Sequence, residues 1–126
     1  MFNLSKSYKP KNFLDLYIPE EVTFENSETV VMPFGYEGTT TFGHGTNNGP
    51  KKLIDASWQT ELFNEEIQDD IQNKIKIWTS QQPKIPKDPL SACLLLKNIV
   101  SQVLELKKFP LGTHITTFSA LHSFFN

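Results

Sequence analysis

The stretch VVMPFGYEGTTTFGHGTNNGPKKLIDAS, residues 30–57, decides the fold of this chain. It begins with a short apolar run of the kind that forms a buried strand, and this run stops at Pro33. Most of the glycines in the chain then follow before a second proline, Pro50. A proline is well suited to the first turn of a helix, because its missing N–H has no partner there in any case. The stretch therefore predicts a strand, a tightly turning loop and a helix over about 50–64.

The rest of the chain continues this alternation. NKIKIWTS predicts a second strand at about 74–79, and KFPLG predicts a third at 108–112. Between them, Asp88 is a good cap for a helix over about 88–107, whose apolar residues cover much of its circumference and predict extensive burial. TTFSALHSFFN, at 116–126, predicts a further helix. Strands that alternate with helices favour an α/β fold with a parallel sheet, which places ligands at the carboxyl ends of its strands.

Length and composition favour one globular domain. The chain has 126 residues, of which 38% are hydrophobic and 21% charged, so it can fold around a core. We predict a single domain over 1–126 that carries an irregular N-terminal arm at 1–28. The only cysteine, Cys93, lies in an apolar setting and is expected to be a buried side chain.

Charge and hydropathy limit the classes of partner. The net charge is -2 and all 12 basic residues are lysines, so we expect neither nucleic-acid binding nor a site built on arginine clamps. The N-terminus has no apolar core of signal-peptide type, and no apolar run reaches the ~20 residues that cross a bilayer. These observations predict a cytoplasmic protein without a membrane partner.

Glycine spacing alone leaves the chemistry open. It fits neither a phosphate-binding loop nor the dinucleotide fingerprint. The loop could pass close to a ligand, with the free N–H groups of the next helix facing an anion or a partner, or it could be an ordinary surface loop.

The whole segment at 30–66 is a more specific signal than its glycine spacing. It reads VVMPFGYEGTTTFGHGTNNGPKKLIDASWQTELFNEE. It resembles the N-terminal region of the ureohydrolase family, which contains arginases and agmatinases, and PFGYEGTT is closer to the agmatinase type. The features that carry the resemblance are a strand ending in Pro-Phe and three ordered pairs, Gly45-Thr46, Gly49-Pro50 and Ala56-Ser57. The resemblance covers about 28–110. It implies a hydrolase of linear amidines with the arginase-like fold, a three-layer αβα arrangement around a parallel sheet that is truncated here after its first strands and helices.

The resemblance also implies a set of site residues. In this family the glycine-rich loop lies along the rim of the active-site cleft, which makes Glu37, His44 and Thr46 candidate rim residues and a small guanidino compound such as agmatine the candidate substrate. His44 is nevertheless more simply explained as a solvated loop residue, and nothing in the sequence pairs Glu37 with a nucleophile.

The metal chemistry of the family is only partly matched. Family members hydrolyse a guanidinium carbon with two manganese ions, which need about six hard ligands from three segments. Only His114, in LGTHITT, corresponds to the first of these segments, and neither Asp-x-His-x-Asp nor Asp-x-Asp occurs in the chain. His114 is thus the candidate manganese ligand, and the chain by itself is not expected to be an efficient manganese hydrolase.

Two other features suggest different functions. The acidic run NEEIQDD, at 64–70, would bring four carboxylates to one helix face, where a solvated surface is favoured over a cation site. The aromatic residues of 116–126, together with an uncovered sheet edge, would favour self-association. The alternative to an enzyme is therefore a non-catalytic interaction or dimerisation module, for example a homo-oligomer.

Overall fold

The computed structural model describes residues 2–8, 12–14, 22–38, 45–61, 63–70 and 74–113. Two α-helices and five strands lie in these ranges, in the order β1 (Thr29–Met32), α1 (Gly49–Ser57), β2 (Phe63–Asn64), β3 (Asp69–Asp70), β4 (Ile77–Thr79), α2 (Pro89–Glu105) and β5 (Phe109–Gly112). Strands β1, β4 and β5 form one sheet, and β2 pairs with β3 in a small hairpin.

The main sheet is parallel, as predicted. Its strand order is β4-β1-β5, and Val30 of the central strand lies opposite Trp78 of β4 and Pro110 of β5. Across the sheet, the connection from β1 to β4 runs towards one edge, and the connection from β4 to β5 runs back past β1 to the other edge. Right-handed crossovers therefore place α1 and α2 on opposite faces of the sheet. This arrangement confirms an α/β fold with helices on both sides of a parallel sheet.

The core on the α2 side follows from the two-residue period of a strand. Val30 and Met32 of β1 point to the same face, where they pack with Ile99 and Val103 of α2. Leu4 of the N-terminal arm completes this cluster. All five side chains are buried, so this face provides the main hydrophobic stabilisation of the described chain.

The N-terminal arm is bound to the sheet by hydrogen bonds. The Phe13 N–H donates to Thr79 Oγ1 in β4, and the Leu14 N–H donates to Ser57 Oγ in α1. Both donor–acceptor distances are 2.9 Å. Both tryptophan indoles donate to arm carbonyls as well, Trp58 to Asn12 and Trp78 to Leu4 at 3.0 Å. The tryptophans therefore act as anchors for a segment with little regular structure.

Helix α1 is shorter than its sequence predicts. It begins at Gly49, with Pro50 in its first turn as expected, but ends at Ser57 rather than near residue 64. The Ser57 hydroxyl donates to the Ile54 carbonyl at 2.6 Å while accepting the N–H of Leu14. A hydroxyl that bonds to the preceding turn competes with the helical ladder, so the tertiary contact with the arm favours an end at this position.

The acidic run forms a hairpin, and the predicted helix face is wrong. Asn64 Oδ1 accepts the N–H groups of Glu66 and Ile67 at 2.8 and 3.2 Å, which is an Asx turn, and Gln68 has a φ of 54°. This turn reverses the chain between β2 and β3, so the carboxylates of 64–70 lie around a turn and along short strands.

Helix α2 agrees with its prediction in position and differs in burial. It begins at Pro89, and the Asp88 carboxylate caps it by accepting the N–H of Ser91 at 2.8 Å. The outward side of the helix is uncovered in the described chain, with Leu90 57% and Leu104 54% exposed. The expectation of extensive burial is therefore wrong for one face, because the sheet covers only the other.

Candidate functional site

The loop that follows β1 (the first loop) and the loop that follows β4 (the second loop) meet at one edge of the sheet, because the two strands are parallel and both end there. Between them lies a cavity of about 560 Å³. This volume is typical of small-molecule sites, and carboxyl ends of parallel strands are where such sites occur in open α/β sheets. The residues that line the cavity are Gly35, Tyr36, Glu37, Gly38, Asn47, Ile85, Pro86 and Lys87.

Two glycines of the first loop are required by close approach of other groups. A Cβ added to Gly35 would lie 2.2 Å from the backbone oxygen of Asn47. A Cβ added to Gly38 would lie 2.3 Å from the Tyr36 hydroxyl and 2.5 Å from the Lys87 carbonyl oxygen. Real side chains essentially never approach so closely, so the walls of the cavity can come together only around glycine.

Tyr36 joins the two loops. Its hydroxyl donates to the Lys87 carbonyl at 2.9 Å, and its ring packs with Phe34, Ala92 and Leu96. Burial raises the pKa of the Tyr36 phenol, and the negative charge of Asp88 adds to this effect. The phenol therefore acts as a neutral donor that fixes the position of one loop relative to the other.

Glu37 closes the glycine-rich loop on itself. Its Oε1 accepts the backbone N–H groups of Gly45 and Thr46, the latter at 3.1 Å. A 3₁₀ turn at Thr46–Asn48 follows and leads directly into α1. A carboxylate in this position satisfies N–H groups that the start of a helical segment leaves without intrahelical partners. The contact is therefore a clamp between the end of β1 and the start of α1.

The structure brings two of the four predicted site residues together. Glu37 lines the cavity, and Thr46 contributes its N–H to the Glu37 clamp. His44 and His114 lie outside the described residues, and the roles assigned to all four stay predictions. Sequence reasoning did not single out Lys87. The parallel arrangement was the available signal, since it brings the loops after β1 and β4 to the same edge.

The described residues do not fit a two-manganese centre. Nowhere in these ranges do three histidine, cysteine or acidic side chains come together as a metal-binding group. In the acidic hairpin, Asp69 forms an ion pair with Lys74 at 3.4 Å, and Cys93 is a free thiol buried in α2. The metal ligands that the family resemblance implies are thus not provided by the part of the chain that the structure describes.

Neither α1 nor α2 is long and apolar enough to cross a bilayer.

Two comparisons with known proteins found similar proteins, and both of these are ureohydrolases. No family model matches the sequence. The N(1)-aminopropylagmatine ureohydrolase of Synechocystis sp. is 37% identical over 59 residues, which are 46% of this chain and 18% of that protein. The crystal structure of agmatine ureohydrolase of Thermoplasma volcanium matches with a TM-score of 0.66 over 96% of this chain and 38% of that chain, at 17% identity.

These two matches have different meanings. At 17% identity the structural match shows the fold alone, while the sequence match concerns a shorter segment. Both relatives are much longer than the region they share with this chain. The chain is thus similar in sequence to part of one agmatinase-like ureohydrolase and in fold to part of another, and in each case it spans well under half of that protein's length.

Proposed function

We propose that the chain belongs to an agmatinase-type ureohydrolase, which hydrolyses the guanidino group of an amine-bearing compound such as agmatine to putrescine and urea. The observation that carries the proposal is the cavity at the carboxyl edge of the sheet, which is formed by the segment that resembles agmatinases. The names of the two relatives support this substrate class, since one acts on aminopropylagmatine and the other on agmatine.

The residues of this chain would bind and orient the substrate. Tyr36 and Glu37 hold the first loop in place, and Ile85 of the second loop offers an apolar wall to an alkyl chain. Manganese, which the family uses, would supply an activated water at the guanidinium carbon. We assign no ligand among the described residues, and His114 remains the candidate.

We further propose that these 126 residues bind substrate without turning it over. The sequence has none of the aspartate-rich segments from which the family builds most of its metal site. Binding without hydrolysis is therefore the behaviour expected of the chain on its own.

The test has a genetic part and a biochemical part. The gene would be read beyond the codon for Asn126 in all three frames, and the protein it encodes would be assayed for urea release from agmatine with added manganese. Asp-x-His-x-Asp and Asp-x-Asp segments, together with urea release, would support the proposal. Without these segments and without urea, the hydrolase function would have to be abandoned.

A second candidate, the interaction module, has one observation in its favour. Phe109 and Leu111 of β5 are 64% and 39% exposed, and both lie on the same face of the sheet in the described chain. Large apolar side chains side by side are typical of a contact surface. Light scattering would test it, and a monomer at high concentration would count against this candidate.

A further inference from the structure

The cavity between the two loops has an asymmetric chemical lining. Ile85 and Pro86 of the second loop provide apolar surface, and Glu37 of the first loop lines the other part of the wall, with its carboxylate held by the N–H groups of Gly45 and Thr46. Lys87 is the cation among the lining residues, and it is exposed to solvent, which weakens the field of its ammonium inside the cavity. The lining thus combines an apolar wall with a negative charge, as a ligand with an alkyl chain and a cationic end requires.

We infer that this cavity binds the terminal ammonium group of the substrate, with the Glu37 carboxylate as its electrostatic partner. The inference rests on the proposed function and deepens it, since it assigns the amine end rather than the guanidino end to this site. Glu37 then has two roles, one as the clamp of the loop and one in substrate recognition. The second role acts through the charge and does not require an oxygen that lacks other partners.

The two roles can be separated by a single substitution. In Glu37→Gln, the amide oxygen can still accept the N–H groups of Gly45 and Thr46, while the negative charge is removed. A purely structural Glu37 therefore predicts no effect on ligand preference. A charge partner predicts weaker binding of an ammonium group only.

A matched pair of ligands makes the comparison specific. Agmatine and 1-butylguanidine share the guanidinium and the four-carbon chain, and agmatine alone carries a terminal ammonium. The dissociation constants of both would be measured by calorimetry for the wild-type chain and for Glu37→Gln. We expect the substitution to weaken agmatine binding by about three- to tenfold, as for a partly exposed charge pair, and to leave butylguanidine binding unchanged.

A second variant adds a charge instead of removing one. Asn47 also lines the cavity, and its backbone atoms lie against Gly35. Asn47→Asp should therefore keep the loop in place and raise the preference for agmatine over butylguanidine. The new carboxylate would lie close to the start of α1, where the helix dipole stabilises a negative charge.

The outcomes separate this inference from the proposed function. Equal effects of Glu37→Gln on both ligands, no effect on either, or no binding of agmatine to the wild-type chain would each overturn the inference. Urea release by the full protein that the gene encodes, together with agmatine binding that does not depend on the Glu37 charge, would overturn the inference alone. Charge-dependent agmatine binding by the chain, with no urea release by that full protein, would support the inference and contradict the proposed hydrolase function.

Discussion

Gly35 and Gly49 lie at the two ends of the glycine-rich segment, and the structure predicts a much larger loss of stability when alanine replaces Gly35 than when it replaces Gly49. A Cβ at position 35 would meet the Asn47 carbonyl oxygen at 2.2 Å, and this neighbour is backbone that cannot rotate away. A Cβ at position 49 would meet no heavy atom within 4 Å beyond its chain neighbours. Gly49 has a helical φ of -53° and ψ of -51°, but it precedes Pro50, whose ring disfavours this conformation for a residue with a Cβ.

The expected magnitudes follow from these contacts. Gly35→Ala should lower the free energy of unfolding by about 1–3 kcal/mol, because the loop or the start of α1 must shift to relieve the overlap. Gly49→Ala should change it by less than about 1 kcal/mol, because the gain from restricting the unfolded chain is opposed by the steric cost of a Cβ before Pro50. The two variants contain the same chemical change, so their difference isolates the close approach.

Urea unfolding, followed by the fluorescence of Trp58 and Trp78, would measure both variants. With a denaturant slope of about 2 kcal/mol/M, Gly35→Ala should lower the midpoint by roughly 0.5–1.5 M. A Gly35→Ala protein with the wild-type midpoint and slope would refute the reasoning, because it would show that the loop does not approach Asn47 as described.

Three further substitutions test individual contacts. Tyr36→Phe removes the donor to the Lys87 carbonyl and should cost about 0.5–1.5 kcal/mol in chemical unfolding, and an unchanged stability would contradict the role of this bond. Asp88→Ala should lower the thermal midpoint at pH 7. Hydrogen bonds from Ser91 hold the pKa of Asp88 below its usual value of 3.8. The stability difference between wild type and Asp88→Ala should therefore be full above pH 3.8 and disappear as the pH falls through the lowered pKa. Lys108→Met should cost about 1–2 kcal/mol in urea unfolding, because the ammonium donates to two carbonyls before β1; a loss equal to that of Lys107→Met, the exposed neighbour, would refute this.

The clamp and the close-packed glycines explain why so much backbone freedom is concentrated in one segment. Glu37 bonds to N–H groups eight and nine residues further along the chain, and the Gly35 backbone lies against Asn47. The segment is therefore folded back on itself at the start of α1, which a chain with larger side chains at these positions could not do. The same compact arrangement brings Glu37 to the cavity.

The predicted end of α1 was wrong because a tertiary contact overrode the local preference for helix. LIDASWQTELF has the apolar spacing of a longer helix, but Ser57 bonds to the arm and α1 ends there. At Asn64 the competing contact is local, since its side chain accepts the N–H groups of the next turn and ends any continuation of the helix. Helix propensity is worth only a few tenths of a kcal/mol per residue, so one or two such contacts are sufficient to move a boundary.

The sequence by itself determined the parallel α/β architecture, the position of α2 and its Asp88 cap, and the resemblance to agmatinase-like ureohydrolases. These depend on hydrophobic period, on proline and capping residues, and on a run of motifs, all of which are local in the chain. Only the tertiary structure decided that Glu37 clamps its own loop, that Tyr36 bonds to Lys87, and that these residues share one cavity. Such contacts join residues up to 51 positions apart, and their distances are set by the packing of the sheet rather than by local sequence.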